Sequence, residues 1–288
     1  MRRAMLIVCL SMACVSVGAA AQWLNYKTPG VPRTPDGKPK LDAPPPRASD
    51  GHPDLTGVWM HERTSVEEVR RLFGPGIDDE IKVDAPGMEI GTQHKYAFNI
   101  LVDVIAADSL LRPEALKLLQ ERKAHPPPED LCDAAGGPAG FPLAGLLSEP
   151  IKIVQAPKIT MVLYEVGGNF RQIYADGRTL PGEINLPAYF GYSVGRWERD
   201  TFVVETSGFN DKTTLDGGGT PHSDQLRVVE RFHRRDFGHL DVEMTFDDPK
   251  LYRRPFTVRV PHNLLADQDI FEMFHENEKD CSHIRAQK

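Results

Sequence analysis

The stretch that decides the fold is LRVVERFHRRDFGHLDVEMTFDD, residues 226–248. It contains two runs in which apolar and polar residues alternate, joined by the short segment RDFG. The apolar members of the second run are Leu240, Val242, Met244 and Phe246. Because successive side chains of a β-strand point to opposite faces, this period of two predicts a β-hairpin with one buried face.

Similar runs lie on both sides of this hairpin. They read DLTGVW, IKIVQAP, KITMVLYE, NFRQIYAD, YFGYSVGRWERDTFVVETSGF, FTVRVPHNL and DIFEMFHENE. Successive alternating strands with short connections indicate a mainly β fold, an antiparallel meander of about nine strands. We expect the meander to close into a barrel, which removes its exposed edges. The segment RPEALKLLQERK predicts one helix packed outside the barrel or across one end, within an otherwise irregular N-terminal part.

The N-terminal 50 residues divide into two segments. Residues 1–21 combine the basic pair Arg2 and Arg3, an apolar run and a small-residue ending at Ala21, which is typical of a secretory signal peptide. We therefore expect a periplasmic or secreted protein. Residues 22–50 are rich in proline and predict a linker, or a strap lying over the domain. Residues 51–288 are interpreted as a single barrel domain.

The net charge of the chain argues against some classes of binding partner. The chain has a net charge of −7, which becomes more negative once the two leader arginines are removed. An acidic surface repels nucleic acid phosphates, and no later segment is apolar enough for membrane insertion. We expect a small-molecule substrate or ligand, whereas the oligomeric state is not indicated by the sequence.

Cysteines and histidines give no standard cofactor motif. Cys132 and Cys281 remain after the leader, as one disulfide or as two separate buried thiols. His275 and His283 are not spaced as a zinc motif, and no glycine-rich loop connects a strand to a helix. The prediction is a protein without cofactor or resident metal, although a metal site built from distant residues stays open.

Polar residues on otherwise apolar strand faces are the candidates for function. Glu230 shares its face with Leu226, Val228 and Phe232. An unpaired buried carboxylate is costly, so Glu230 needs a partner or a water-filled cavity. Two other strands carry polar faces, and their members are Gln172, Tyr174, Asp176, His275 and Asn277. Either these faces line a cavity, or a shift of one residue in register places them on the surface.

Each candidate is assigned a role. His222, in the loop LDGGGTPHSD, would act as general acid/base, with Tyr174 and Glu230 handling a substrate hydroxyl and Arg178 orienting an anion. The predicted substrate-binding residues are Arg171, Asp176, Tyr192, His275 and Asn277. The alternatives are an ordinary Asp-Gly turn with a solvated Arg178, and a His222 that only caps a strand end.

Several segments together resemble a large family of exported, mostly uncharacterised bacterial proteins. They are EPIKIVQAP, RQIYADGRTLP, GYSVGRWERDTFVVETSGFND, TPHSDQLRVVERF, DDPKLYRRPF and HENEKDCSH, within residues 54–283. Family members often have cysteine where this chain has Phe274, which weakens the proposed disulfide. The LTGVW segment and the meander also resemble in shape the calycin superfamily, which includes lipocalins. That resemblance implies that Trp59 closes the base of the barrel.

Calycin-like barrels include ligand carriers and cofactor-free enzymes such as phenolic acid decarboxylases, so two functions are expected. The first is a cofactor-independent lyase, of decarboxylation or elimination type, acting on a small aromatic or cyclic molecule inside the barrel. The alternative is an exported lipocalin-like carrier of a small hydrophobic ligand. Charged residues pointing into the barrel favour the enzyme, and a dry apolar lining favours the carrier.

Overall fold

The computed structural model describes residues 26–74, 94–97, 99–125, 150–165, 169–183 and 185–270. These residues form a mainly β structure in which nine strands close into one barrel in chain order. The strands are β1 (Gly57–His61), β2 (Ile151–Ala156), β3 (Ile159–Tyr164), β4 (Phe170–Tyr174), β5 (Tyr192–Glu198), β6 (Thr201–Ser207), β7 (Arg227–Arg234), β8 (His239–Asp247) and β9 (Phe256–Leu264). β9 pairs with β1, and this pairing closes the ring.

The predicted hairpin of residues 226–248 is confirmed as β7 and β8. The register runs from Arg227 opposite Asp247 to Arg234 opposite Leu240. Every second residue of both strands is buried, including the apolar set that the alternation indicated in β8. The alternating pattern is strong here because each strand buries one face in the barrel and exposes the other.

One pairing departs from the predicted antiparallel meander, since β4 and β5 run parallel. All the other strand pairs are antiparallel, so the barrel is mixed. The physical reason is the connection 175–191, which carries the chain back to the level at which β4 began. A parallel pair needs a return connection of about a dozen residues or more, whereas two residues suffice for a hairpin.

Helices and long loops cover one end of the barrel, called here the loop end because the connections 208–226 and 248–255 lie there. The helices are α1 (Val66–Phe73), α2 (Ala107–Leu110) and α3 (Pro113–Ala124), with a 3₁₀ turn at Lys95–Ala97. α3 begins with Pro113 at its first turn, as the sequence indicated. It packs against the glycine-rich loop, where Arg122 Nη1 donates to the Gly219 carbonyl at 3.3 Å.

Residues 26–50 lie across the opposite end, called here the strap end. Phe237 and Gly238, in the β7–β8 turn, donate their amides to the carbonyls of Ala43 and Leu41 at 2.7 Å each. Arg33 pairs with Asp267, which follows β9. This part of the proline-rich segment is therefore a strap over the barrel rather than a free linker.

Trp59 lies at the strap end with no exposed surface. Its indole Nε1 donates to the Leu55 carbonyl at 3.0 Å, and the Arg234 guanidinium lies 4.9 Å from the ring centroid. Among the described residues, none of the helices is both long and apolar enough to span a membrane. The predicted signal peptide, Cys132, Cys281, His275 and Asn277 lie outside the described residues.

Candidate functional site

A cleft opens on the outer wall of the barrel where β4 and β5 meet. Only Ile173 with Ser193 and Tyr174 with Val194 are in register across this pair. Residues 178–181 and 190–191, from the connection between these strands, line a cleft of about 320 Å³, called here the seam cleft. Its lining residues are Phe170, Arg171, Gln172, Tyr174, Arg178, Thr179, Leu180, Pro181, Phe190, Gly191, Tyr192, Ser193 and Val194.

Arg178 and Tyr174 form the polar edge of the seam cleft. The guanidinium carbon of Arg178 lies 3.8 Å from the centroid of the Tyr174 ring. Asp176 accepts from Arg178 Nε at 2.9 Å and from Nη2 at 2.6 Å, and these hydrogen bonds hold the pKa of Asp176 below its ordinary value. The Tyr174 hydroxyl donates to Gln172 Oε1 at 2.7 Å, so this edge is ordered by its own contacts.

Arg171 connects the seam cleft to the barrel interior. Its Nη1 and Nη2 donate to the two carboxylate oxygens of Glu230 at 3.0 and 2.5 Å. Its Nε donates to Ser193 Oγ at 3.0 Å, and Nη2 also donates to Thr206 Oγ1 at 2.7 Å. These four residues come from β4, β5, β6 and β7, so the network bridges the seam from inside. Tyr164 lies beside it, and burial raises the pKa of its hydroxyl.

Glu230 points into the barrel, as its apolar face-mates indicated, and has no exposed surface. Its partner was not identified from the sequence, because Arg171 lies 59 positions earlier in the chain. The bidentate pair satisfies both oxygens of the carboxylate, which is the condition for burying such a charge. The side chain is therefore held in place rather than offered to a ligand.

The alternation of β4 is as predicted, but its polar face points outward. Phe170 is 56% exposed and Gln172 is also exposed, whereas Arg171 and Ile173 are buried. The sequence left open whether this polar face lines an interior cavity or lies on the surface. Tyr174 lies on the outer wall of the barrel, where it is half-buried in the seam cleft. Tyr192 lies on the same outer wall, and its hydroxyl donates to the Leu186 carbonyl at 2.7 Å.

His222 lies at the loop end and is only 3% exposed. Its Nε2 lies 2.8 Å from Thr213 Oγ1 and its Nδ1 lies 3.2 Å from the Ser223 carbonyl. Since a carbonyl can only accept, Nδ1 carries the proton and Nε2 accepts from the Thr213 hydroxyl. Burial lowers the pKa of the imidazole and keeps it neutral. Both nitrogens are used inside the loop, and His222 does not line the seam cleft.

The glycine run before His222 has a structural explanation. Gly217 donates its amide to the Ala97 carbonyl at 2.7 Å, and Gly219 has a φ of +83°, a conformation that favours glycine. Buried Asp216 accepts from the amides of Ile100 and Thr220 at 2.7 and 2.9 Å. The loop thus docks Ala97 and Ile100 onto the barrel. The signal that sequence reasoning missed is the aspartate directly before the glycines, a side chain suited to capping backbone amides.

The predicted catalytic residues therefore fall into three groups: Tyr174 with Arg178 in the seam cleft, Glu230 in the interior and His222 at the loop end. Within the part of the chain that the structure describes, no group of three or more His, Cys, Asp or Glu residues could hold a metal ion. No family model, no curated protein and no solved structure matches the chain.

Proposed function

We propose that the protein binds a small aromatic anion in the seam cleft. One observation carries the proposal: the half-exposed guanidinium of Arg178 lies at the cleft, and the described lining of the cleft includes no carboxylate. Asp176, which pairs with Arg178, is not among the lining residues. A cleft with positive charge toward the ligand and negative charge behind it favours an anion.

The walls of the seam cleft favour a flat ligand. Its aromatic lining residues are Phe170, Tyr174, Phe190 and Tyr192. Aromatic rings stack on one another and gain about 0.5–1.5 kcal/mol beyond the burial of their area. A volume of about 320 Å³ lies at the small end of ligand sites, which suits a single substituted ring.

The carrier hypothesis is better supported than the lyase hypothesis. A general acid/base must reach the reacting atoms, and neither His222 nor Glu230 lines the seam cleft. Glu230 is bound through both oxygens, and His222 is bound through both nitrogens. A lyase activity that uses these two residues stays a prediction. No described contact places either residue in the seam cleft.

We also propose a lipocalin-like class for the barrel and an exported location. The first rests on Gly57 and Trp59 in the first strand, with the Trp59 ring buried under Arg234 at the strap end. The second rests on the composition of residues 1–21. The ligand site proposed here lies on the outer wall, which differs from the interior site expected from the sequence.

Calorimetric titration of the purified protein with 4-hydroxybenzoate tests the proposal. We expect one-to-one binding that is weakened by about tenfold or more in Arg178→Gln, because a charge-assisted hydrogen bond and a cation–π contact are lost. The exposed Arg254 provides the matched control, since Arg254→Gln removes the same charge away from the cleft. Equal affinity of Arg178→Gln and the unchanged protein, or equal binding of neutral 4-hydroxybenzyl alcohol, would contradict an anion site.

A further inference from the structure

A second cleft lies between the strap and the strap end of the barrel. It has a volume of about 420 Å³ and is called here the base cavity. The strap contributes residues 28–31 to it, and the barrel contributes the end of β9 and the residues that follow. None of the predicted site residues that the structure describes lines it, and its described lining shares no residue with that of the seam cleft.

The walls of the base cavity are mainly aliphatic. The residues that supply them are Val31, Val58, Leu264, Leu265 and Ala266. The only aromatic side chains among its described lining are Tyr26 and Phe237, in contrast to the ring-rich seam cleft. Burying any apolar ligand surface against aliphatic walls is favourable in free energy, but such walls provide no aromatic ring on which a flat ligand could stack. They therefore suit a flexible alkyl chain.

A buried cation lies at the base cavity. Arg234 is 2% exposed, and its guanidinium donates to the carbonyl oxygens of Asp54, Thr56, Asp236 and Phe237. Among the described residues, no carboxylate lies within ion-pair distance of it. Burial lowers the pKa of Arg234 to about 10, and the charges of Asp54 and Asp236 oppose that shift.

The polar rim of the base cavity contains a second cation. Lys152 Nζ contacts both carboxylate oxygens of Asp269, at 2.7 and 2.8 Å, and both side chains are partly exposed. Asp54 also lines the cavity, and its Oδ1 accepts from the Thr56 amide at 2.8 Å. A partly exposed ion pair contributes little to stability, so Lys152 can exchange Asp269 for another carboxylate at small cost.

The strap forms the roof of the base cavity and is fixed in place. Arg33 Nη1 and Nη2 contact Asp267 at 3.0 and 2.5 Å, and Thr28 exchanges two hydrogen bonds with the same residue. These contacts hold the pKa of Asp267 below its ordinary value. The cavity is therefore formed by residues that are tied to one another, which reduces the ordering cost of binding.

From the aliphatic walls, the buried Arg234 and the exchangeable Lys152, we propose that the base cavity binds a free fatty acid. The alkyl chain lies against Val58, Leu264 and Leu265 beneath the strap. The carboxylate lies at the rim and pairs with Lys152 in place of Asp269. The positive charge of Arg234 below the cavity favours the anionic head over a neutral one.

Calorimetric titration of the purified protein with dodecanoate, and with dodecan-1-ol as the neutral head control, tests this site. We expect Lys152→Met to weaken dodecanoate by about tenfold or more and to leave dodecan-1-ol unchanged. Ala266→Trp fills the cavity and should abolish the binding of both. Lys158→Met, at the exposed β2–β3 turn, and Arg178→Gln, in the seam cleft, are the controls that should change neither ligand.

A thermal readout keeps the test informative if Ala266→Trp does not fold. Dodecanoate should then raise the Tm of the unchanged protein, and of Lys158→Met, more than that of Lys152→Met. The proposal is overturned if dodecanoate does not bind, if Lys152→Met binds it normally, or if Arg178→Gln abolishes its binding. The last outcome would assign the fatty acid to the seam cleft, whereas the first two leave the proposed binding of 4-hydroxybenzoate there unchanged.

Discussion

The β7–β8 hairpin and the β4–β5 seam hold the same barrel together by different means. The hairpin has backbone register along the whole of β7, from Arg227 to Arg234. The seam has two residue pairs in register, and beyond them a buried side-chain network takes over from the backbone ladder. The proposed ligand site lies at the seam, where strand pairing is short and a return connection leaves room for a cleft.

The two regions also use charge differently. On the outer face of β8 and β9, Arg259 Nε donates to Glu243 at 2.8 Å, and the arginine side chain is 81% exposed. At the seam, Arg171 and Glu230 are 1% and 0% exposed. Water screens the first pair and is excluded from the second, so removing one partner has very different consequences.

The largest effect is expected from breaking the buried pair. Arg171→Met or Glu230→Leu alone should lower the free energy of unfolding by about 3–5 kcal/mol, because each leaves an uncompensated buried charge. The double variant should regain much of that loss, since it removes both charges. Urea denaturation of the four proteins measures the coupling, and Arg259→Met should change stability by about 1 kcal/mol or less. Additive single effects would show that the pair does not hold the seam.

The β1–β9 closure is another short ladder, with three residue pairs in register, and acid should weaken it. His94 lies near His61 of β1 and His262 of β9, and burial, followed by the charges of these histidines, lowers its pKa to about 3. The folded state therefore prefers neutral His94. Stability is fully present above the ordinary pKa of about 6.5 and declines, by up to about 1.4 kcal/mol per pH unit, as the pH falls toward 3.

Denaturant titrations at pH 7, 6, 5 and 4 measure this slope. His94→Gln should flatten it, whatever its effect on stability at pH 7, and His125→Gln, at an exposed position, should leave it unchanged. An equal slope in His94→Gln would assign the acid sensitivity to other groups, among them buried His222.

A smaller effect is expected from adding one methyl group to β5. A Cβ at Gly195 would overlap the Phe202 ring and come within 3.0 Å of Ile173 Cγ2, which forces the seam apart. We expect Gly195→Ala to lower stability by about 1–3 kcal/mol in a thermal melt, as overpacking does. Gly182→Ala meets nothing within 4 Å and should be neutral or slightly stabilising. Equal Tm values for the two variants would mean that the residues around Gly195 move to accommodate the methyl group without a loss of stability.

Local pattern was sufficient for most of the strands and for the interior position of Glu230. The strand of Glu230 has the apolar residues Val228 and Phe232 two positions away on either side, and this period of two depends only on the chain itself. The pattern of β4 was ambiguous. Either the face that contains Phe170 or the face that contains Arg171 could have pointed into the barrel. The face that turns inward follows from pairing with the neighbouring strands, since Arg171 lies opposite the buried Val162 of β3.

The sequence by itself determined the alternating strands, the helix beginning at Pro113 and the acidic character of the chain, because each depends on neighbouring residues or on composition. Only the tertiary structure decided that Arg171 pairs with Glu230, that His222 is held within its own loop, and that the clefts lie at the seam and under the strap. These features join residues that are far apart in the chain or oriented by loops. They form only when the barrel closes and brings these residues together, so no single segment of the sequence is sufficient to predict them.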